Sequence, residues 1–139
     1  MRAWLVVAAV LSLARSAVAQ NTAQHLEEYR QWVTQTTALS APDVYRVWWN
    51  ELIHECACSP LHRFEDLVFA TLPGKEFRVP RQFGRARAHW AGGVWIVIAE
   101  AYIMDERVVK HELLHAILQT TGHPEIFGRL RLRAQDITN

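Results

Sequence analysis

The sequence predicts one small α+β domain, with helices towards the N-terminus, a short, mostly antiparallel sheet and then one buried helix. Three observations lead there. Apolar residues recur at helical spacing up to about residue 60. Short apolar runs punctuated by Pro73-Gly74 and Gly92-Gly93 occupy residues 66–99. A capped segment that is apolar on almost every side follows from Asp105. Helix, helix, sheet, helix is an α+β order, and no internal repeat or low-complexity stretch marks a further domain. Residues 20–139 are therefore expected to form a single domain.

The first 19 residues stand apart. Arg2 supplies a positive start, Trp4 to Ala14 is an apolar run short for a bilayer, and Ala17-Val18-Ala19 places small residues where a signal peptidase reads them. The expectation is a cleaved signal peptide over residues 1–19, a secreted or periplasmic product, and no stable membrane span after cleavage. Losing Arg2 and Arg15 takes the formal charge from +1 to −1. A nearly neutral chain of about 120 residues argues against a general nucleic-acid binder. Arginines 78, 81, 85 and 87, then 129, 131 and 133, form local clusters. They read first as solvated side chains on strands and a tail, and only second as a binding patch.

Each element has its own signal. From Asn21 to about Thr36, Leu26, Tyr29, Trp32 and Val33 mark an amphipathic helix. In the next helix Ser40 is placed to cap, Pro42 falls in the first turn, and Asp43 is the acidic half of a capping box. Val44, Tyr45, Trp48, Trp49, Leu52 and Ile53 form its apolar stripe, read as core, and Ser59-Pro60 ends it. Asp66 to Leu72, Glu76 to Val79 and Arg85 to Trp90 read as strands. Val94 to Ala99 is the clearest strand; Val94, Ile96 and Ile98 face one way and Trp95, Val97 and Ala99 the other, so both faces should be covered. Asp105 caps the last helix, Glu106 complements its first turn, and it runs to about Gln119 or Thr121, where Gly122 and Pro124 stop it. Cys56 and Cys58 are the only cysteines. An oxidising compartment permits a bond across the one residue between them, but free thiols and links to another chain stay open.

Chemistry concentrates in His111-Glu112-Leu113-Leu114-His115. Residues four apart share a helix face, so His111 and His115 can present imidazole nitrogens to one ion. Glu112 falls close to that face and can work on water activated there without being a ligand. Neutral imidazoles suit Zn²⁺, which at catalytic sites takes three protein ligands and keeps a position open. Seven His and ten Glu placed at random would give such a pattern in about one chain in forty. Its setting adds weight. Val108, Val109, Leu113, Leu114, Ala116, Ile117 and Leu118 make the helix apolar nearly all round. Burying two histidines and a carboxylate without partners is costly.

On this motif the chain resembles the zincin metallopeptidases. The resemblance is specific at the helix, extends more loosely to the strand before it, and covers about a third of residues 20–139. It implies His111 and His115 as zinc ligands, Glu112 as general base, and a peptide or protein substrate. It also implies that Val94 to Glu100 serves as the edge strand that pairs with extended substrate. With Gly122-His123-Pro124, the motif is similar to that of small secreted proteins carrying a zincin-like site. The third ligand departs from the larger subfamilies. Metzincins place glycine and histidine where this chain has Leu118 and Thr121, and their methionine turn is missing, since Met104 precedes the motif. Gluzincins use a glutamate on a later helix, and here only Glu125, close in sequence, remains.

His123 is the best candidate third ligand. A helix continued to Thr121 would end about 9 Å along the axis beyond His115. His123 can therefore ligate only if Gly122 turns the chain sharply or the helix stops near Leu118. Cys56 or Cys58 could instead imitate the upstream cysteine ligand of peptide deformylases, although export argues against that reaction. His54 and Cys58 could form a separate site. His25, His62 and His89 read as surface or structural, and Tyr45 or Tyr102 as packed residues that could assist an intermediate. The expected function is zinc-dependent hydrolysis of peptide or other amide bonds. The alternatives are a secreted binding or inhibitory module that retains the metal site, and a structural domain with a buried histidine pair.

Overall fold

The computed structural model describes Gln20 and residues 23–134. The expected signal peptide and residue Asn21 lie outside the described residues. Helix α1 covers residues 23–34 and belongs to a unit of its own that ends at Gln35. Within it the Tyr29 and Trp32 rings lie 5.4 Å apart.

From Thr36 a second compact unit begins. In chain order it contains β1 (Thr37–Ala38), α2 (Asp43–Cys56), β2 (Val68–Leu72), β3 (Ala88–Trp90), β4 (Trp95–Ala99), α3 (Glu106–Leu118) and α4 (Glu125–Arg129). The class is α+β. The sheet is mixed, in the order β1-β2-β4-β3. β1–β2 and β3–β4 are antiparallel, while β2–β4 is parallel, with Val68 opposite Trp95 and Leu72 opposite Ala99.

Composition explains why β4 is interior. Ile96, Val97, Ile98 and Ala99 are apolar on both faces, and none is more than 1% exposed. A strand buried on both faces belongs inside a sheet. This corrects the expected edge role of Val94 to Glu100: the edges are β1 and β3, and β3 is the one beside α3. Gly92 and Gly93 both take positive φ (93° and 54°), which lets the chain fold residues 88–90 against β4 in a tight hairpin.

The remaining elements depart from expectation at their ends. α2 begins at Asp43 because Pro42 is its N-cap residue, with extended backbone (φ −55°, ψ 146°). Ser40 is thereby held outside the helix, and the capping box does not form; no side-chain bond caps this end. α2 also stops before Ser59-Pro60, at Ala57, whose φ of 50° is left-handed. Cys56 and Cys58 are joined to each other across that residue. Of the expected Glu76–Val79 strand only a bridge between Phe77 and Ala86 remains. Pro80 removes the next donor, and Val79 instead accepts from Gln82 in a turn. β1 and α4 carried no clear sequence signal.

One core cluster joins α2, α3 and one face of the sheet. Tyr45, Trp48, Trp49 and Leu52 pack with Phe69, Ile96, Ile98, Val109, Leu113 and Ala116. Each buried aliphatic side chain contributes about 1.5–3 kcal/mol relative to exposure. The two tryptophans are core residues, as their spacing predicted. Tyr45 donates its hydroxyl hydrogen to the Ile103 carbonyl at 2.6 Å, a structural role. α3 is seated deepest: Val108, Val109 and every residue from His111 to Ile117 are buried. Its start is as expected, with the Asp105 carboxylate accepting from the Val108 N–H at 3.0 Å.

Candidate metal centre

The interior position of α3 puts His111, Glu112 and His115 in the core, where each needs a partner. His111 uses Nδ1 against the Leu132 carbonyl. His115 uses Nδ1 against the Thr120 carbonyl at 2.6 Å. A carbonyl can only accept, so both Nδ1 atoms carry the hydrogen and both Nε2 atoms present a lone pair.

Those lone pairs converge. His115 Nε2 and His111 Nε2 are 3.2 Å apart, and His123 Nε2 is 3.2 Å from His111 Nε2. The three ligand atoms all lie within 4.8 Å of one another. Burial, first of all, pushes the His111 imidazole down to about 4, with the Leu132 carbonyl opposing and the neighbouring histidines reinforcing. His115 is lowered for the same principal reason. Protonation is thus a poor way to reconcile facing lone pairs, whereas a shared cation does so directly. Nitrogens bound tetrahedrally at 2.0–2.1 Å would lie about 3.3 Å apart, close to the two spacings that His111 makes with His115 and His123. His111, His115 and His123 are therefore near enough to hold a metal ion.

The route to His123 depends on where α3 stops. Gln119 adopts a left-handed conformation (φ 51°) directly after Leu118, so the helix ends before Thr121. Gln119 Nε2 donates to the Gly93 carbonyl at 2.9 Å and to the Ala116 carbonyl at 2.7 Å, fixing the turn. The chain then doubles back through residues 120–122 to His123. This is the second of the two routes the helix geometry allowed, and Gln119, not Gly122, makes the turn.

Below the histidines, the fully buried Phe127 ring sits 5.1, 4.7 and 5.0 Å from the rings of His111, His115 and His123. Pro124 at the head of α4 sets its position, and the Leu132 N–H returns to the Phe127 carbonyl at 2.7 Å. Trp90 stacks almost parallel to His115, at 8° and 6.1 Å.

Glu112 lies beside the cluster. Its Oε2 accepts from the Trp90 backbone N–H at 2.6 Å, and its Oε1 is 4.0 Å from His111 Nε2. Burial pushes this carboxyl up to about 8, with the Trp90 N–H pulling the other way. Trp90 is on the edge strand, where the ladder alternates. Arg87 and Ala91 bond to β4, so the N–H and C=O of Ala88 and Trp90 point outward. Trp90 spends its N–H on Glu112, and Ala88 directs both groups into the cleft.

A cavity of about 210 Å³ opens over the site, walled by Gln82, His89, Trp90, Thr121 and the three histidines. His89, read from sequence as surface or structural, therefore lines the cleft; burial, then His115, lowers it to about 4. Only its place on the edge strand beside Trp90 could have signalled this. The other candidates fall away. Cys56 and Cys58 are bonded to each other and so supply no thiolate, either to this centre or to a site with His54. No second group of three metal-binding side chains occurs among the described residues. Tyr102 lies under the Arg87 guanidinium, 4.9 Å from its ring centre.

No protein-family model, curated protein or solved structure matches this chain.

Proposed function

We propose that this protein is an exported zinc-dependent hydrolase of peptide or other amide bonds, with His111, His115 and His123 as metal ligands and Glu112 as general base. One observation carries the reading: buried imidazoles, anchored through Nδ1, turn their Nε2 lone pairs on one point while a buried carboxylate oxygen stands 4.0 Å from one of them. Three neutral nitrogens with room for a fourth group are a donor set that suits Zn²⁺ at a catalytic site. A divalent ion held there supplies Lewis acidity, polarising a carbonyl and acidifying water.

The chain's own groups do the rest. The Trp90 N–H pins Glu112 through Oε2 and leaves Oε1 turned towards the histidines. Glu112 takes a proton from the attacking water as its oxygen bonds to the carbonyl carbon. The same proton passes to the departing nitrogen as the C–N bond breaks. Burial raises the carboxyl's pKa to about 8; a divalent ion held by the three histidines would lower it and keep Glu112 a usable base near neutral pH. The outward N–H and C=O of Ala88 offer an extended substrate two hydrogen bonds on the β3 edge.

The test pairs composition with turnover. Glu112→Gln should keep one metal per chain by elemental analysis and lose about 10²–10⁴-fold in hydrolysis of mixed peptides. Turnover that survives this substitution removes Glu112 from the chemistry. Metal bound at full occupancy without any chelator-sensitive hydrolysis by the unsubstituted protein would favour the non-catalytic binding module.

A further inference from the structure

The cleft does not end at the histidines. A second cavity of about 240 Å³ adjoins the first, and the two share Ala86, Ala88, His111 and Glu112 as walls. The first lobe continues from these towards Trp90 and His123, the second towards Val108 and Ala134. Helix and strand agree on the direction. From the second lobe to the first, the lining advances from Val108 to His115 on α3 and from Arg85 to Trp90 along the strand side. These stretches reach about 10 Å as helix and about 16 Å as extended chain, room for roughly three to five residues of an extended peptide. His111 and Glu112 therefore stand part-way along a groove and not at its end.

Trimming a chain from its end calls for a stop beside the reacting bond: a cleft that ends there, or a group that captures the terminal charge. Neither is found among the described residues. On the strand side the shared wall is Ala86 and Ala88, whose methyl groups are too small to partition the groove. In the second lobe Glu76 and Glu112 offset Arg85 and Arg87, so neither a terminal carboxylate nor a terminal ammonium meets unbalanced charge. No lysine or arginine among the described residues lines the first lobe, and its one carboxylate, Glu112, is already bonded to the Trp90 N–H. A cavity under about 300 Å³ suits one residue of a larger ligand better than a whole small molecule. Ala88, which lines both lobes, turns its outward N–H and C=O to the place where they meet, as a chain passing through requires.

We infer that the groove passes a polypeptide through the site, so that the enzyme cuts internal amide bonds, with a substrate residue in each lobe and neither terminus recognised. The inference rests on the hydrolase reading above and adds the substrate class.

The experiment has a binding arm and a turnover arm. A length series of peptides is made with free ends, with one end blocked, and with both ends blocked by acetylation and amidation. Each is titrated against zinc-loaded Glu112→Gln protein, followed by tryptophan fluorescence, and offered to the unsubstituted enzyme, with products read by mass spectrometry. Blocking both ends of a long peptide should change its affinity by less than about threefold, and the first cuts should fall at internal bonds. Peptides too short to enter both lobes should bind about tenfold more weakly. Gln82 and Ala134 are exposed and line one lobe each. In the same background, Gln82→Trp and Ala134→Trp should each weaken the long blocked peptide about tenfold, at unchanged zinc content and circular dichroism. Release of single residues from a free end, a tenfold loss on blocking either end, or indifference to one of the two tryptophan variants overturns the inference. Binding that follows this pattern without any hydrolysis supports the through-groove and overturns the hydrolase reading instead.

Discussion

Replacing His123 by alanine separates a ligand from a structural residue, because His123 is exposed while His111 and His115 are buried. Its loss from the metal-free protein should cost little, within about 0.5 kcal/mol for a surface change. Its loss from the metal-loaded protein should cost much more. Structural zinc sites with four ligands bind with about 10–16 kcal/mol, so one nitrogen is worth roughly 3–4 kcal/mol, or about 10²–10³ in Kd. With zinc at about a thousand times Kd, the unsubstituted protein gains about 4 kcal/mol, which is roughly 15–30 °C in Tm for a domain of this size. After a ~300-fold loss of affinity the same zinc concentration leaves about 0.9 kcal/mol, a shift of only some 4–7 °C. Differential scanning calorimetry with and without zinc reads both quantities. The buried His115 serves as contrast: His115→Ala should lower the metal-free Tm as well, since it strips the Thr120 carbonyl of its donor. A His123→Ala protein that keeps the full zinc-dependent shift refutes the ligand assignment. One whose metal-free Tm falls as far as that of His115→Ala would show that His123 serves the fold.

The buried titrating groups predict an unusual pH profile for the metal-free protein. His89 and His111 are lowered to about 4 from 6.5, so the unfolded chain takes up their protons first; their contribution grows as pH rises from 4 and is complete above 6.5. Glu112 is raised to about 8 from 4.5, so its contribution is fully present below 4.5 and is lost as pH rises through 8. Stability should peak near pH 6.5 and fall by up to about 2 kcal/mol by pH 8 in urea melts, a fall that Glu112→Gln removes; an equal decline in both proteins contradicts the assignment. Phe127→Ala, at a fully buried ring under all three imidazoles, should cost about 3–5 kcal/mol in the metal-free protein and about tenfold in zinc affinity. Phe127→Leu should recover most of both, and an alanine variant that binds zinc unchanged would show that the ring does not position the ligands.

Periodicity and capping made much of this fold legible. The Tyr45 to Leu52 stripe, the Asp105 cap and the two-faced apolar run of β4 each reflect a local rule that the tertiary structure obeys. Position within the sheet was less accessible. Residues 94–100 took the edge role by resemblance, although their own composition, apolar on both faces, already argued for the interior. The strand expected over Arg85 to Trp90 forms as Ala88, His89 and Trp90; what sequence could not weigh was that the Gly92-Gly93 hairpin would place it, and not residues 94–100, at the edge beside the site. At the site, the motif named His111, Glu112 and His115 directly. His123 could be named only conditionally, because its reach depended on a one-residue event, the left-handed turn at Gln119. Gln has no special tendency towards that conformation, and tertiary hydrogen bonds to Gly93 and Ala116 hold it there.

The groups that support the histidines explain why the motif alone is so informative and its surroundings so mute. His111 and His115 are oriented by the carbonyls of Leu132 and Thr120, and Glu112 by the N–H of Trp90. All three partners are backbone atoms, which every residue type but proline can supply in full. These three anchors therefore depend on the path of the chain through residues 90, 120 and 132. A cluster anchored in this way leaves little besides its histidines and its carboxylate as a sequence signature. What the backbone anchors do not supply comes from Phe127 beneath the rings and from the edge strand that faces the cleft.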